Sequence, residues 1–113
     1  MVSTSGALLA LADDTRREIV TRLAGGAQPA GQLALGFRMS QPAVSKHLRV
    51  LRQAGLVQSR KVGRQQVYRL SPEGMTALQR ILEDLSRMWT TALPRFKDFV
   101  DNRVAAEGGT VLE

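Results

Sequence analysis

Between Ser40 and Leu70 the spacing of the apolar residues changes from three and four to two, and the change falls at a glycine. Val44, Leu48 and Leu51 recur at helical spacing and line one face of a helix. Ser40 supplies the cap and Pro42 sits in the first turn, where a missing amide proton costs nothing. Gly55 stands where a helix stops. Beyond it, Leu56 to Val62 and Gln65 to Leu70 read as two strands joined at Gly63-Arg64, a hairpin signal. Tyr68 and Leu70 share the face that covers the helices, with Val67 and Arg69 on the other. A capped helix leading straight into a hairpin fits neither a plain helical bundle nor an open parallel sheet.

Helices are expected on both sides of this unit. Ser5 to Ala12 carries Leu8, Leu9 and Leu11. Asp13 or Asp14 then caps a second helix to about Ala24, burying Ile19, Val20 and Leu23, and Thr15 with Glu18 also matches a capping-box spacing. Gly25 and Gly26 end it. Pro29 to Leu35 is a short third helix and Gly36 to Met39 a tight connection. Ser71-Pro72-Glu73 opens a last helix, with Met75, Leu78, Leu82, Leu85 and Trp89 in one stripe. Pro94 is expected to break or kink it, and Phe96, Phe99, Val100 and Val104 continue a similar stripe. The tail from Gly108 is expected to fray. The expected fold is mainly α with a small β-hairpin, in the order α-α-α-α-β-β-α, as one domain over residues 1–113.

Charge adds a direction. The chain carries a formal +6, but from Ile19 to Pro72 it has no acidic residue. Arg22, Arg38, Lys46, Arg49, Arg52, Arg60, Lys61, Arg64 and Arg69 give that window +9. Such a face repels itself unless something anionic lies nearby, and a polyphosphate is the natural partner. A plain solvated face is the bland alternative. With no cysteine there is no disulfide framework, thiolate metal site or cysteine nucleophile. Gly6 to Ala12 is far too short to span a bilayer, and no cationic segment precedes it. A soluble, cytoplasmic protein is the expectation.

Residues 28–54 therefore read as a helix-turn-helix, with the hairpin as a wing and 28–70 as the nucleic-acid-binding part. A helix fits the major groove of DNA, and short polar groups at its start can approach base edges. Ser40, Gln41, Ser45, Lys46, His47, Arg49 and Arg52 are the candidates on the helix. Gln41 can pair two ways with adenine, while Lys46 and Arg49 can reach guanine or phosphate. Arg60, Lys61 and Arg64 at the wing can grip the backbone or enter the minor groove.

Three segments resemble the ArsR/SmtB family of winged-helix repressors. They are Leu11-Ala12-Asp13-Asp14-Thr15-Arg16-Arg17-Glu18-Ile19, the string from Ser40-Gln41-Pro42-Ala43 to Val50-Leu51, and Ala54-Gly55-Leu56-Val57. The wing from Gly63 to Leu70 also fits, so the likeness spans roughly residues 5–105. It implies a homodimer on an inverted-repeat operator, often of its own promoter, that blocks transcription. It also implies dimerisation through the first and last helices, 5–12 and 72–105, with Leu8, Leu9, Leu82, Leu85, Trp89, Phe96, Phe99 and Val100 as the apolar contacts. The chain departs from the metal-sensing members. Its third helix reads Ala30-Gly31-Gln32-Leu33-Ala34, without a ligand, and the last segments offer Asp98, Asp101 and Glu107 but no histidine. No metal and no cofactor is expected, because soft-metal sites need imidazole or thiolate. The likeness is to the non-metal, SdpR-like branch; a ligand- or metal-responsive repressor is the alternative within the family.

Single residues carry two readings each. His47 can touch DNA or make a local structural bond. Trp89 can pack in a dimer interface or stack on an effector. Asp13 and Asp14 are adjacent, so they do not share a helix face as a carboxylate pair would, and capping accounts for them. Met39, Met75 and Met88 read as core filling. The stripe over 75–104 exceeds what one small protomer covers, which favours a dimer. A winged-helix adaptor docking an acidic protein or membrane surface through the basic face is the second functional class, but the Gln41/Ser45/Lys46/Arg49 face lacks an aromatic anchor. An enzyme is not expected: no nucleophile–base set or glycine-rich phosphate loop is present.

Overall fold

A computed structural model describes residues 2–106; the tail from Gly108 and Glu107 lie outside the described residues. The elements are α1 (Thr4–Ala10), α2 (Asp14–Leu23), β1 (Gln28–Pro29), α3 (Ala30–Phe37), α4 (Gln41–Gln53), β2 (Val57–Val62), β3 (Gln65–Leu70) and α5 (Pro72–Ala106). The chain divides at Gln79/Arg80 into two compact units, the second formed by the later turns of α5.

In the first unit every helix except α3, which follows Pro29, begins at a side chain that caps it. Ser3 accepts from the Gly6 amide, and Asp13 accepts from that of Arg16. The expected Asp13 cap is present, whereas Thr15 lies within the helix. Ser40 accepts from the Ala43 amide at 3.2 Å, and Ser71 from that of Gly74 at 3.0 Å. The packed centre is Ile19 of α2, Leu33 of α3, Val44, Leu48 and Leu51 of α4, and Leu56 before β2, all fully buried. The helical spacing of these positions is what closes three helices on one apolar centre.

The sheet has the order β1-β3-β2, antiparallel throughout. The hairpin is in register with Val57 opposite Leu70 and Val62 opposite Gln65. Gly63 takes a φ of 61° at the tip while Arg64 does not share a positive φ, the sign pattern of a type II′ turn. Three expectations change. A third strand, β1, adds Gln28 opposite Tyr68 and Pro29 opposite Val67. It has two residues and an edge position that proline tolerates, so no periodicity announces it. Pro29 accordingly stands before α3 rather than inside it.

Second, α3 continues through Gly36 to Phe37, and Arg38 takes the left-handed turn at φ 53°. The Arg38 amide donates to Leu35 O and that of Met39 to Ala34 O, the paired bonds of a Schellman ending. α4 ends the same way, but with Gly55 at φ 81°. Third, the break expected near Pro94 is absent: α5 runs through it. Proline leaves the carbonyl four residues earlier, on Thr90, without its helical donor. Residues 90–95 are exposed, so water can serve that carbonyl.

Candidate DNA interface

The site is built on α4. Its three buried aliphatics face α2, α3 and the β2 corner, and the opposite side is left to solvent. Ser40, Gln41, Lys46, Arg49 and Arg52 are exposed, and Ser45 is half-buried. Ser40 is occupied in capping, which holds the first turn in shape. The Gln41 amide oxygen lies beside Gly31 of α3. Arg52 donates to the Ser59 hydroxyl at 3.0 Å, tying the end of α4 to β2.

At the wing, Arg60, Lys61 and Arg64 are exposed. Arg60 is opposite Val67 and Lys61 opposite Gln66, so their side chains leave opposite faces of the hairpin. One face therefore carries Arg60 with Arg69, and Arg69 donates to the Gln58 side-chain oxygen at 3.0 Å. Arg69 and Gln58 were not among the sequence candidates; their register across the hairpin is what joins them.

The acids of this unit are engaged elsewhere. Asp14 pairs with Arg17 and Glu18 with Arg22, while Glu73 accepts from the Ser71 hydroxyl. Among the described residues no carboxylate pairs with Lys46, Arg49, Arg60, Lys61 or Arg64. The +9 window thus keeps unneutralised cations on α4 and the wing, the arrangement that suits a phosphate backbone.

His47 sits apart from that face. It is half-buried, with Nδ1 at 3.4 Å from an Arg16 guanidinium nitrogen and 3.8 Å from an Asp13 oxygen. One of its two sequence readings, a local bond, is thus present; contact with DNA is the other. Arg16 also donates through Nε to Ala10 O at 2.5 Å and through its other nitrogen to Leu9 O at 3.2 Å. The Asp13 carboxyl is held below the usual carboxylate range, first by the Arg16 amide bond and then by the Arg16 charge and the Thr15 amide; partial burial opposes them. Asp13-x-x-Arg16 was visible in the sequence, but nothing there joined it to His47.

The expected dimer contacts are solvent-facing in the protomer. In α1, Ala7 and Ala10 turn inward while Leu8 and Leu9 stay exposed. In the second unit, Leu82, Trp89, Phe96, Phe99 and Val100 are exposed, with Met88 and Leu93 among them, and Leu85 is half-buried. Among the described residues no group of three or more His, Cys, Asp or Glu side chains gathers as for a metal ion, and no helix is long and apolar enough to cross a membrane.

Comparison with known proteins then decides the family. The model for bacterial regulatory proteins of the arsR family matches residues 13–59. The HTH-type transcriptional regulator Rv2034 of Mycobacterium tuberculosis is 48% identical over 93 residues, 82% of this chain and 84% of that protein. The chain belongs to the ArsR family. As a member it is a winged helix-turn-helix transcription regulator rather than an enzyme. The transcriptional repressor SdpR of Bacillus subtilis is 39% identical over 62 residues, 55% of this chain and 69% of that repressor. Among solved structures, the homodimeric winged helix-turn-helix DNA-binding domain Mb0332 from Mycobacterium bovis superposes with a TM-score of 0.63. It is 28% identical and covers 74% of this chain and 77% of its own.

Proposed function

We propose that this ArsR-family regulator is a homodimeric repressor that binds an inverted-repeat operator in double-stranded DNA, working in the cytoplasm beside the chromosome. The observation that carries the reading is the division of α4: three fully buried aliphatics on one side, and exposed Gln41, Lys46 and Arg49 on the other. Gln41 and Ser45 read base edges at the start of the helix, and Lys46 and Arg49 reach guanine or phosphate. The wing cations Arg60, Lys61 and Arg64 grip the backbone, with Arg52 bracing helix against wing. Two copies joined through Leu8 and Leu9 and through the apolar stripe of α5 present two such helices about 34 Å apart, which requires a two-fold operator.

The names of two relatives support repression and dimerisation: one is called a repressor, the other a homodimeric DNA-binding domain. The test is selection of genomic fragments by the purified protein at moderate salt, followed by footprinting. A recurring inverted repeat upstream of a gene supports the reading. Retention of acidic proteins with no enriched DNA sequence supports an adaptor instead.

A further inference from the structure

α4 packs on its neighbours through Val44, Leu48 and Leu51, and near its C-terminal end Arg52 adds a hydrogen bond to Ser59 of β2. The apolar stripe sets which face of α4 is buried, but such contacts are non-directional and set its exact rotation less tightly than a hydrogen bond does. A hydrogen bond is directional. At the junction of α1 and α2, α4 receives one, from Arg16 to His47.

Arg16 is placed for it from three sides. Its own amide is bonded to the Asp13 cap at 3.0 Å, which fixes the first turn of α2. Two guanidinium nitrogens serve the carbonyls of Leu9 and Ala10, at the C-terminal end of α1, where a cation is favoured. The remaining nitrogen points at His47 Nδ1. A guanidinium nitrogen can only donate, so in this pair Nδ1 is the acceptor. His47 stands next to Lys46 and two residues from Ser45 and Arg49, so a rotation of α4 at His47 re-aims all three.

We propose that Arg16 and His47 are positioning residues for base reading: one guanidinium joins the end of α1 to the imidazole of α4 and sets the angle at which Gln41, Ser45 and Arg49 are presented. Neither residue needs to touch DNA. The inference rests on the proposed DNA-reading role of α4, and it adds a link between that helix and α1, which carries Leu8 and Leu9.

The experiment is fluorescence anisotropy with the selected operator and an unrelated duplex of equal length, at several salt concentrations. It compares the wild type, His47→Ala, His47→Asn, Arg16→Gln and the Arg16→Gln/His47→Ala double variant, with thermal melts to confirm folding. His47→Ala and Arg16→Gln should each cut the preference for operator over unrelated DNA by about tenfold. Binding to the unrelated duplex and the salt slope should stay as in the wild type, because no phosphate contact is lost. The double variant should be no worse than either single one. His47→Asn should recover most of the preference, since its Oδ1 accepts near the position of Nδ1.

A preference left intact in Arg16→Gln while His47→Ala loses it, or losses that multiply in the double variant, overturns the proposal in favour of direct contact by His47. Should Arg16→Gln fail to fold, the His47 pair decides: equal losses in Ala and Asn also overturn it. If the wild type selects no duplex, the DNA-reading role itself falls. If the wild type selects one and His47→Ala matches it, only the positioning role falls.

Discussion

Gly74, in the first turn of α5, lies directly against the carbonyl oxygen of Gly55, and a methyl group built on Gly74 overlaps that oxygen. The obstacle is backbone, not a flexible side chain, so it cannot swing away. This approach seats the start of α5 on the corner where α4 gives way to β2, and the Ser71 cap holds the same turn. Gly74→Ala should therefore destabilise the first unit by about 1–3 kcal/mol, the usual cost of overpacking. A urea midpoint lowered at unchanged slope checks it.

Arg38 makes the opposite prediction. It holds a left-handed turn at φ 53°, where an L side chain costs roughly 1–2 kcal/mol. Arg38→Gly removes that cost and adds some unfolded-state entropy, for a net gain of about 0.5–1 kcal/mol. Thermal melting should show a higher midpoint for the variant.

The acid limb of stability depends in part on Asp13. Its folded-state carboxyl is held below the ordinary value of 3.8, so the charged form is favoured in the folded protein. The resulting stability is complete above about pH 3.8 and is lost as the pH falls through the lower folded-state value. Asp13→Asn keeps a capping oxygen but removes the charge. Its melting temperature should lie below the wild type at pH 6 and converge on it toward pH 2.5. A gap that widens as pH falls contradicts the sign.

Dimerisation is predicted to rest on the exposed stripe of the second unit. Phe96 is 64% exposed and Trp89 59% exposed in the protomer, too much aromatic surface to leave in water. Phe96→Asp should shift the protein from dimer to monomer at micromolar concentration, as read by sedimentation velocity. It should weaken operator binding with little change in the melting of the first unit.

Where the sequence was informative, local chemistry and global packing agreed. Ser40 and Gly55 bracket α4 because a cap and a left-handed stop are both side-chain-encoded, and β3 spans Gln65–Leu70 as its alternation requires. The signals failed where the decisive partner is distant. β1 exists because Pro29 and Gln28 find an open edge of β3. Gly36 is not the turn residue: Arg22 packs against it, donating to its carbonyl at 3.3 Å and lying 4.5 Å over the Phe37 ring. The helix therefore runs on to Phe37 and leaves the left-handed position to Arg38. Pro94 reads as a break, but an exposed helix can lose one bond to water and continue. His47 sits within the charged string yet bonds to Arg16, 31 residues earlier. The basic residues themselves were legible, while their distribution over two faces of the wing required the register.

The central claim is that the start of α4 reads bases while the wing holds phosphate. Anisotropy titration of Gln41→Ala and Arg64→Ala against the selected operator and an unrelated duplex tests it most directly. Gln41→Ala should weaken operator binding by roughly 1–3 kcal/mol and leave the unrelated duplex unaffected. Arg64→Ala should weaken both by similar factors and flatten the salt dependence by about one unit of slope. Equal losses on both duplexes for Gln41→Ala would contradict the account.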